Sequence, residues 1–167
     1  MKKALAIFFL LFAAVANAKD KKDYENYLSK ATNSIENYAN DKAYETYQFI
    51  NKKTGEKKKF ADFSEMDRLI FFVLRGNAID HELEDTYYQW QEQLEKFDEN
   101  SGMTKEELNS FLDKLFELRK RNAAKVENLV DKLFLKFPNE FTAEEKKYLT
   151  DSIREYHDKY NLVKRDK

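Results

Sequence analysis

The chain has 167 residues, 37% of them charged, with no cysteine, three glycines and one proline. The absence of cysteine excludes a disulfide framework, a Cys-ligated metal or iron–sulfur centre and a c-type haem attachment. The isolated Gly55, Gly76 and Gly102 cannot build a dinucleotide, P-loop or nucleophile-elbow signature, and 11 Ile and Val residues are too few for a parallel sheet.

Met1-Lys2-Lys3 opens the chain with two positive charges, Ala4 to Ala16 carries none, and Ala16-Asn17-Ala18 supplies a small-x-small cleavage pattern. That order predicts a cleavable secretory signal peptide over 1–18, because the apolar run is shorter than the roughly 20 residues of a spanning helix. Residues 19–167 then form one domain, periplasmic or extracellular, with no second run of spanning length. Without Lys2 and Lys3, 28 basic side chains face 31 acidic ones, a net charge of −3. A nucleic-acid partner would call for a clustered basic surface instead.

Hydrophobic periodicity then predicts five helical segments. From about Asp23, the residues Tyr24, Leu28, Ala31, Ile35 and Tyr38 step by four and three along one face. The phase is lost at Asn40-Asp41, both natural cap residues, and Tyr44, Tyr47 and Ile50 form a short second stripe. Asn51 to Lys59 is predicted to be a lysine-rich turn around Thr54-Gly55. Ser64 and Asp67 have capping-box spacing and open Met66 to Leu74, apolar on nearly every side, which must be buried all round or leave part of Phe71 and Phe72 free. Gly76-Asn77 is predicted to end this helix with a bend, because Ile79, Leu83, Tyr87, Trp90, Leu94 and Phe97 form a stripe of different phase.

After Asn100-Ser101-Gly102, Thr104 and Glu107 form a second capping box. Leu108, Phe111, Leu112, Leu115, Val126, Leu129, Val130, Leu133 and Phe137 share one face of a helix of roughly 33 residues. Asn122 interrupts that apolar stripe, either to pair across helices or because it lies at a wet edge. Pro138 stops the helix. Thr142 and Glu145 cap the last segment, whose stripe is Leu149, Ile153, Tyr156 and Tyr160. The predicted fold is therefore all-α: an up-and-down antiparallel bundle of four to five helices.

Chemistry-bearing motifs are few. His81, Glu84 and Asp85 have helical spacings that could gather a metal, but the wheel turns all three away from the Ile79–Trp90 stripe, as a solvated charged face would be. The segment Arg154 to Tyr160 (REYHDKY), with His157, resembles the last-helix haem-ligand region of periplasmic b-type cytochrome bundles. In that family the opposite ligand is a Met of the first helix, where this chain has none. Carboxylates are too numerous for a catalytic pair to be singled out.

Two pentads, MTKEE at 103–107 and FTAEE at 141–145, resemble the LTxxQ pattern of the periplasmic stress-chaperone family of small helical proteins, with Glu for Gln and without the Leu. The stretch from Arg119 to Tyr148 is similar in style to that family's C-terminal helices. This resemblance covers about the last third of the mature chain and implies an exported helical binding protein, while the pentads by themselves are helix N-caps.

Beyond the signal peptide the chain keeps 11 Phe, 10 Tyr and one Trp, a load suited to interfaces. The expectation is an exported helical binding protein, not an enzyme and without a cofactor, chaperone-like or envelope-stress-related. Its working surface is expected at Tyr24, Tyr27, Tyr38, Tyr44, Tyr47, Phe71 and Phe72, meeting another protein or a second copy. The alternatives are a small-molecule, haem or metal-binding bundle centred on His81 or His157, and attachment to envelope lipid through Lys52, Lys53, Lys57, Lys58 and Lys59.

Overall fold

A computed structural model of the protein describes residues 20–50, 54–97 and 102–164. The predicted signal peptide over 1–18 and the residues Lys52 and Lys53 lie outside the described residues. Among the described residues are four α-helices and one small hairpin: α1 Lys21–Asn37, β1 Gln48–Ile50, β2 Lys57–Lys59, α2 Glu65–Glu95, α3 Lys105–Lys136 and α4 Ala143–Lys159. The described residues are mostly helical, consistent with the all-α expectation, apart from that hairpin. Among the described residues, no helix is long and apolar enough to cross a membrane.

Each helix starts where a side chain can satisfy its first free backbone N–H groups. Reciprocal capping boxes join Asp20 to Asp23, Ser64 to Asp67, Thr104 to Glu107 and Thr142 to Glu145. At the other end of α4, Asn161 takes a positive φ of 53°. This lets the Leu162 N–H reach the His157 carbonyl at 2.9 Å and folds the buried Leu162 back onto the bundle. The last turn of α1 has no basic residue of its own. Lys125 of α3 supplies one, donating from Nζ to the Ile35 carbonyl at 2.6 Å and to the Glu36 carbonyl at 3.1 Å.

Helices α2 and α3 form the central antiparallel pair, tied across their length by Glu65 with Lys136, Gly76 with Asn122 and Asp80 with Arg119. Helix α1 runs antiparallel to α2, from Tyr24 beside Gln93 to Tyr38 beside Gly76. It is therefore parallel to α3, which it meets through Lys21–Glu107 and Arg121–Glu36 ion pairs. Helix α4 lies antiparallel to α3 and touches α2 around Asp80 and Glu84.

Three expectations need correction. Gly76 does not end a helix: α2 runs unbroken for 31 residues. A Cβ at Gly76 would fall 2.5 Å from Val126 Cγ2 and 2.8 Å from the Tyr38 hydroxyl, so glycine is there to let three helices approach closely. The change of phase along α2 has a different cause, because successive turns face different neighbours. Next, Tyr44, Tyr47 and Ile50 are not a helical stripe. Tyr44 ends a 3₁₀ turn, Asp41–Tyr44, and Ile50 lies on β1, 56% exposed. Finally, the lysine-rich segment is more than a turn: Lys57 to Lys59 are strand β2, paired antiparallel with β1, and Gly55 supplies the positive φ of 72° that the connection needs.

Asn122 pairs across helices. Fully buried, it donates from Nδ2 to the Gly76 carbonyl at 2.9 Å, joining α2 and α3 at the point of closest approach.

Candidate functional site

The residues expected to form a binding surface are drawn into the interior. Tyr24, Tyr27, Tyr38, Tyr44 and Phe72 are buried, and Tyr47 and Phe71 are partly covered. Tyr24 stacks on Phe111 with centroids 5.1 Å apart and lies 4.6 Å from Trp90. Tyr27 meets Trp90 at 5.3 Å and exchanges a hydrogen bond with Thr86 at 2.8 Å. Phe71 is enclosed by Tyr44 at 4.9 Å, Phe49 at 5.2 Å and Phe60 at 5.4 Å. Tyr24 and Tyr27 serve as core residues because a phenol can bury its ring while its hydroxyl finds a polar partner, here Gln93 and Thr86.

A polar cluster lies where α2, α3 and α4 converge. Arg119 and Asp80 are almost completely buried, and Glu84 is nearly so. The Arg119 guanidinium donates to both Asp80 carboxylate oxygens, at 3.2 and 3.5 Å, and stands 3.9 Å from Glu84. The Tyr156 hydroxyl of α4 lies 2.8 Å from Asp80 Oδ2 and 2.6 Å from Glu84 Oε2. One phenol proton can serve only one of these carboxylates at a time. With the proton on the shorter contact, to Glu84, Asp80 Oδ2 is satisfied by the guanidinium, which also reaches the Tyr156 oxygen at 3.3 Å. Burial, the hydrogen bond to Glu84 and the charge of Asp80 push the Tyr156 phenol well above its ordinary range, so Tyr156 acts as a neutral donor.

Glu84 is held below the ordinary carboxylate range. Burial alone would raise it, but hydrogen bonds from Tyr156 and Tyr160 and the charges of Arg119 and His81 outweigh that effect. A carboxyl lowered on folding stabilises the fold above its unfolded value and loses that contribution as pH falls through the folded one. Glu84→Gln is therefore expected to cost about 1 kcal/mol near neutral pH. The gap to the wild type should close on acidification below the ordinary glutamate value of 4.5; urea denaturation over a pH series checks this, and a gap that widens in acid would contradict it.

His157 is buried too, with Nδ1 2.7 Å from Glu127 of α3. The cleft beside this pair, lined by Glu127, Val130, Ile153 and their neighbours, has a volume of about 10 Å³, room for one water molecule at most. His81 remains at the surface, 3.6 Å from Glu84. The expectation that His81, Glu84 and Asp85 share a solvated face fails at Glu84, which turns inward to Arg119 and Tyr156. Among the described residues, no three His, Asp or Glu side chains gather as a metal-holding group. Lys57, Lys58 and Lys59 are all exposed, and Lys58 lies 3.4 Å from Asp67.

Compared with known protein families, curated proteins and solved structures, the chain matches none. The site must therefore be interpreted from its own geometry. Its groups are fully engaged with one another: two carboxylates, a guanidinium and a phenol join α4 to α2 and α3, and an imidazole with its carboxylate adds a second tie to α3. Such a constellation fixes a helix in place.

Proposed function

We propose that the chain is an exported, non-catalytic helical binding module. The charged start, the uncharged run and the Ala16-Asn17-Ala18 pattern support export of residues 19–167. The observation that carries the binding reading is the mutual engagement of Arg119, Asp80, Glu84 and Tyr156, which holds polar groups in a packed seam instead of aiming them into a cleft. Large apolar side chains meanwhile stand in solvent. Leu135 is 82% exposed and Tyr148 76%. With the tyrosines of α1 in the core, the contact surface moves to such positions, and the partner is a protein, an unfolded client or another copy of the chain.

Expression of the full chain in an exporting bacterial host, followed by fractionation and intact-mass measurement, tests the first half. A mass starting at Lys19 in the periplasm or medium is expected, and uncleaved protein in the cytosol would overturn export. Cross-linking in envelope extract tests the second half. Leu135→Ser with Tyr148→Ser should lose the captured partner or the self-association at unchanged helical circular dichroism. Equal capture by variant and wild type would overturn the proposed surface.

A further inference from the structure

The hairpin sorts its side chains by face, as the pleat of a strand pair requires. Phe49 and Lys58 are directly paired on the face toward Phe63 and Asp67, where Phe49 is half-buried and Lys58 stays exposed. Phe49 lies 5.2 Å from both Phe63 and Phe71, and Lys58 lies over Phe63 at 5.1 Å and beside Asp67. Alternation then places Gln48, Ile50, Lys57 and Lys59 on the outer face, all exposed. Register sets Ile50 opposite Lys57 and Gln48 opposite Lys59. The face thus carries one isoleucine, 56% exposed, opposite Lys57 and diagonal to Lys59, and no carboxylate in the ladder. Among the described residues, neither Lys57 nor Lys59 is tied to an acidic side chain. Glu56, at the turn, is the nearest acid in sequence, and the segment from Gln48 to Lys59 holds five lysines against that one glutamate.

We infer that this outer face docks on an anionic lipid surface. Lysines along an edge strand commonly guard it against pairing with another strand, but guarding gives no reason to hold a large aliphatic side chain in water beside them. An isoleucine beside lysines fits an interface where apolar surface enters the headgroup layer while lysine stems follow it and their ammoniums remain at the phosphates. Charge complementarity selects anionic over zwitterionic headgroups, at about fivefold in affinity for each lysine near the surface. The inference does not depend on export, so a leader that stays uncleaved leaves it standing.

The test is co-sedimentation of the full chain, as recovered, with two vesicle types: phosphatidylcholine alone, and equal parts phosphatidylcholine and phosphatidylglycerol. The wild type is expected to sediment with the anionic vesicles only, and to be released as salt rises beyond about 0.1 M. Lys57→Glu with Lys59→Glu should weaken that binding at least about twentyfold, and Ile50→Ser about tenfold, each at unchanged circular dichroism. The variants carry the same N-terminus as the wild type, so any difference belongs to the hairpin. Equal sedimentation of wild type and variants, or no sedimentation with anionic vesicles, would overturn the inference. So would binding to polyglutamate that matches the vesicle binding and ignores Ile50→Ser, which would make the face a site for acidic peptide.

Discussion

Gly76→Ala is expected to destabilise the protein by about 2 kcal/mol, against the ordinary gain of up to about 1 kcal/mol from replacing an interior helical glycine with alanine. The added methyl would sit 2.5 Å from Val126 Cγ2 and 2.8 Å from the Tyr38 hydroxyl. Neither neighbour gives way easily: valine has a stiff, branched side chain, and Tyr38 is a buried ring under the Lys125 ammonium, 4.3 Å from its centroid. Relief requires α1 or α3 to move outward, at a cost of about 1–3 kcal/mol for overpacking. Movement of α3 would also stretch the Asn122 hydrogen bond to the Gly76 carbonyl, 2.9 Å in the native chain; the carbonyl keeps its helical partner, but the loss leaves the buried Asn122 amide N–H unpaired at about 1–3 kcal/mol. Both penalties exceed the helical gain. Urea denaturation at constant m-value measures the balance, and a stabilised variant would show that the close approach is not needed.

Arg119→Met is expected to have the larger effect, about 3–5 kcal/mol, because it leaves Asp80 and Glu84 in a seam without their cation. Methionine fills the aliphatic part of the arginine, so lost packing is a small share of the effect. The charge origin can be separated by adding Asp80→Asn to Arg119→Met. The double variant should recover part of the loss, since one of the two stranded carboxylates is gone, whereas Asp80→Asn alone should destabilise by removing the partner of a buried guanidinium. A double-mutant cycle from thermal or urea unfolding gives the coupling. Additive losses would mean that the pair is not a unit. Helix α4 should report the damage first, because Tyr156 donates into the same carboxylates.

The features that were legible in the sequence are the local ones. Ser64 with Asp67, Thr104 with Glu107 and Thr142 with Glu145 are recognisable as caps because a capping box closes within four residues. The Leu108–Leu133 face is recognisable because one periodicity persists through nine turns of α3. The hairpin escaped because Tyr44, Tyr47 and Ile50 are spaced by three, like a helical stripe, while a strand of three residues is too short to show alternation. Gly76 was misread because its role depends on Val126 and Tyr38, distant in sequence.

The polar cluster was half visible. Arg119 lies four residues after Leu115 and three before Asn122, squarely on the apolar stripe, and a charged residue in that position is a signal of a buried ion. Asp80 and Glu84 carried no such mark. They sit one step beyond Ile79 and Leu83, off the face that meets α1, and become interior only because α3 and α4 cover a second side of α2. Solvated carboxylates and buried ones look alike until the number of neighbours around a helix is known. The same limit applies to Tyr24 and its companions, whose amphipathic rings suit an interface and a core equally well.

Helix α4 buries only Ile153 and His157 from its own length, so its polar ties, His157 to Glu127 among them, decide where along the groove it sits. Tyr156 adds to this, because its hydroxyl lies within hydrogen-bond reach of Asp80 and Glu84 at one axial position, and a shift of one turn would carry it about 5.4 Å away. The ionic seam thus acts as a detent: it adds little grip, but it gives the last helix a single stop along the groove.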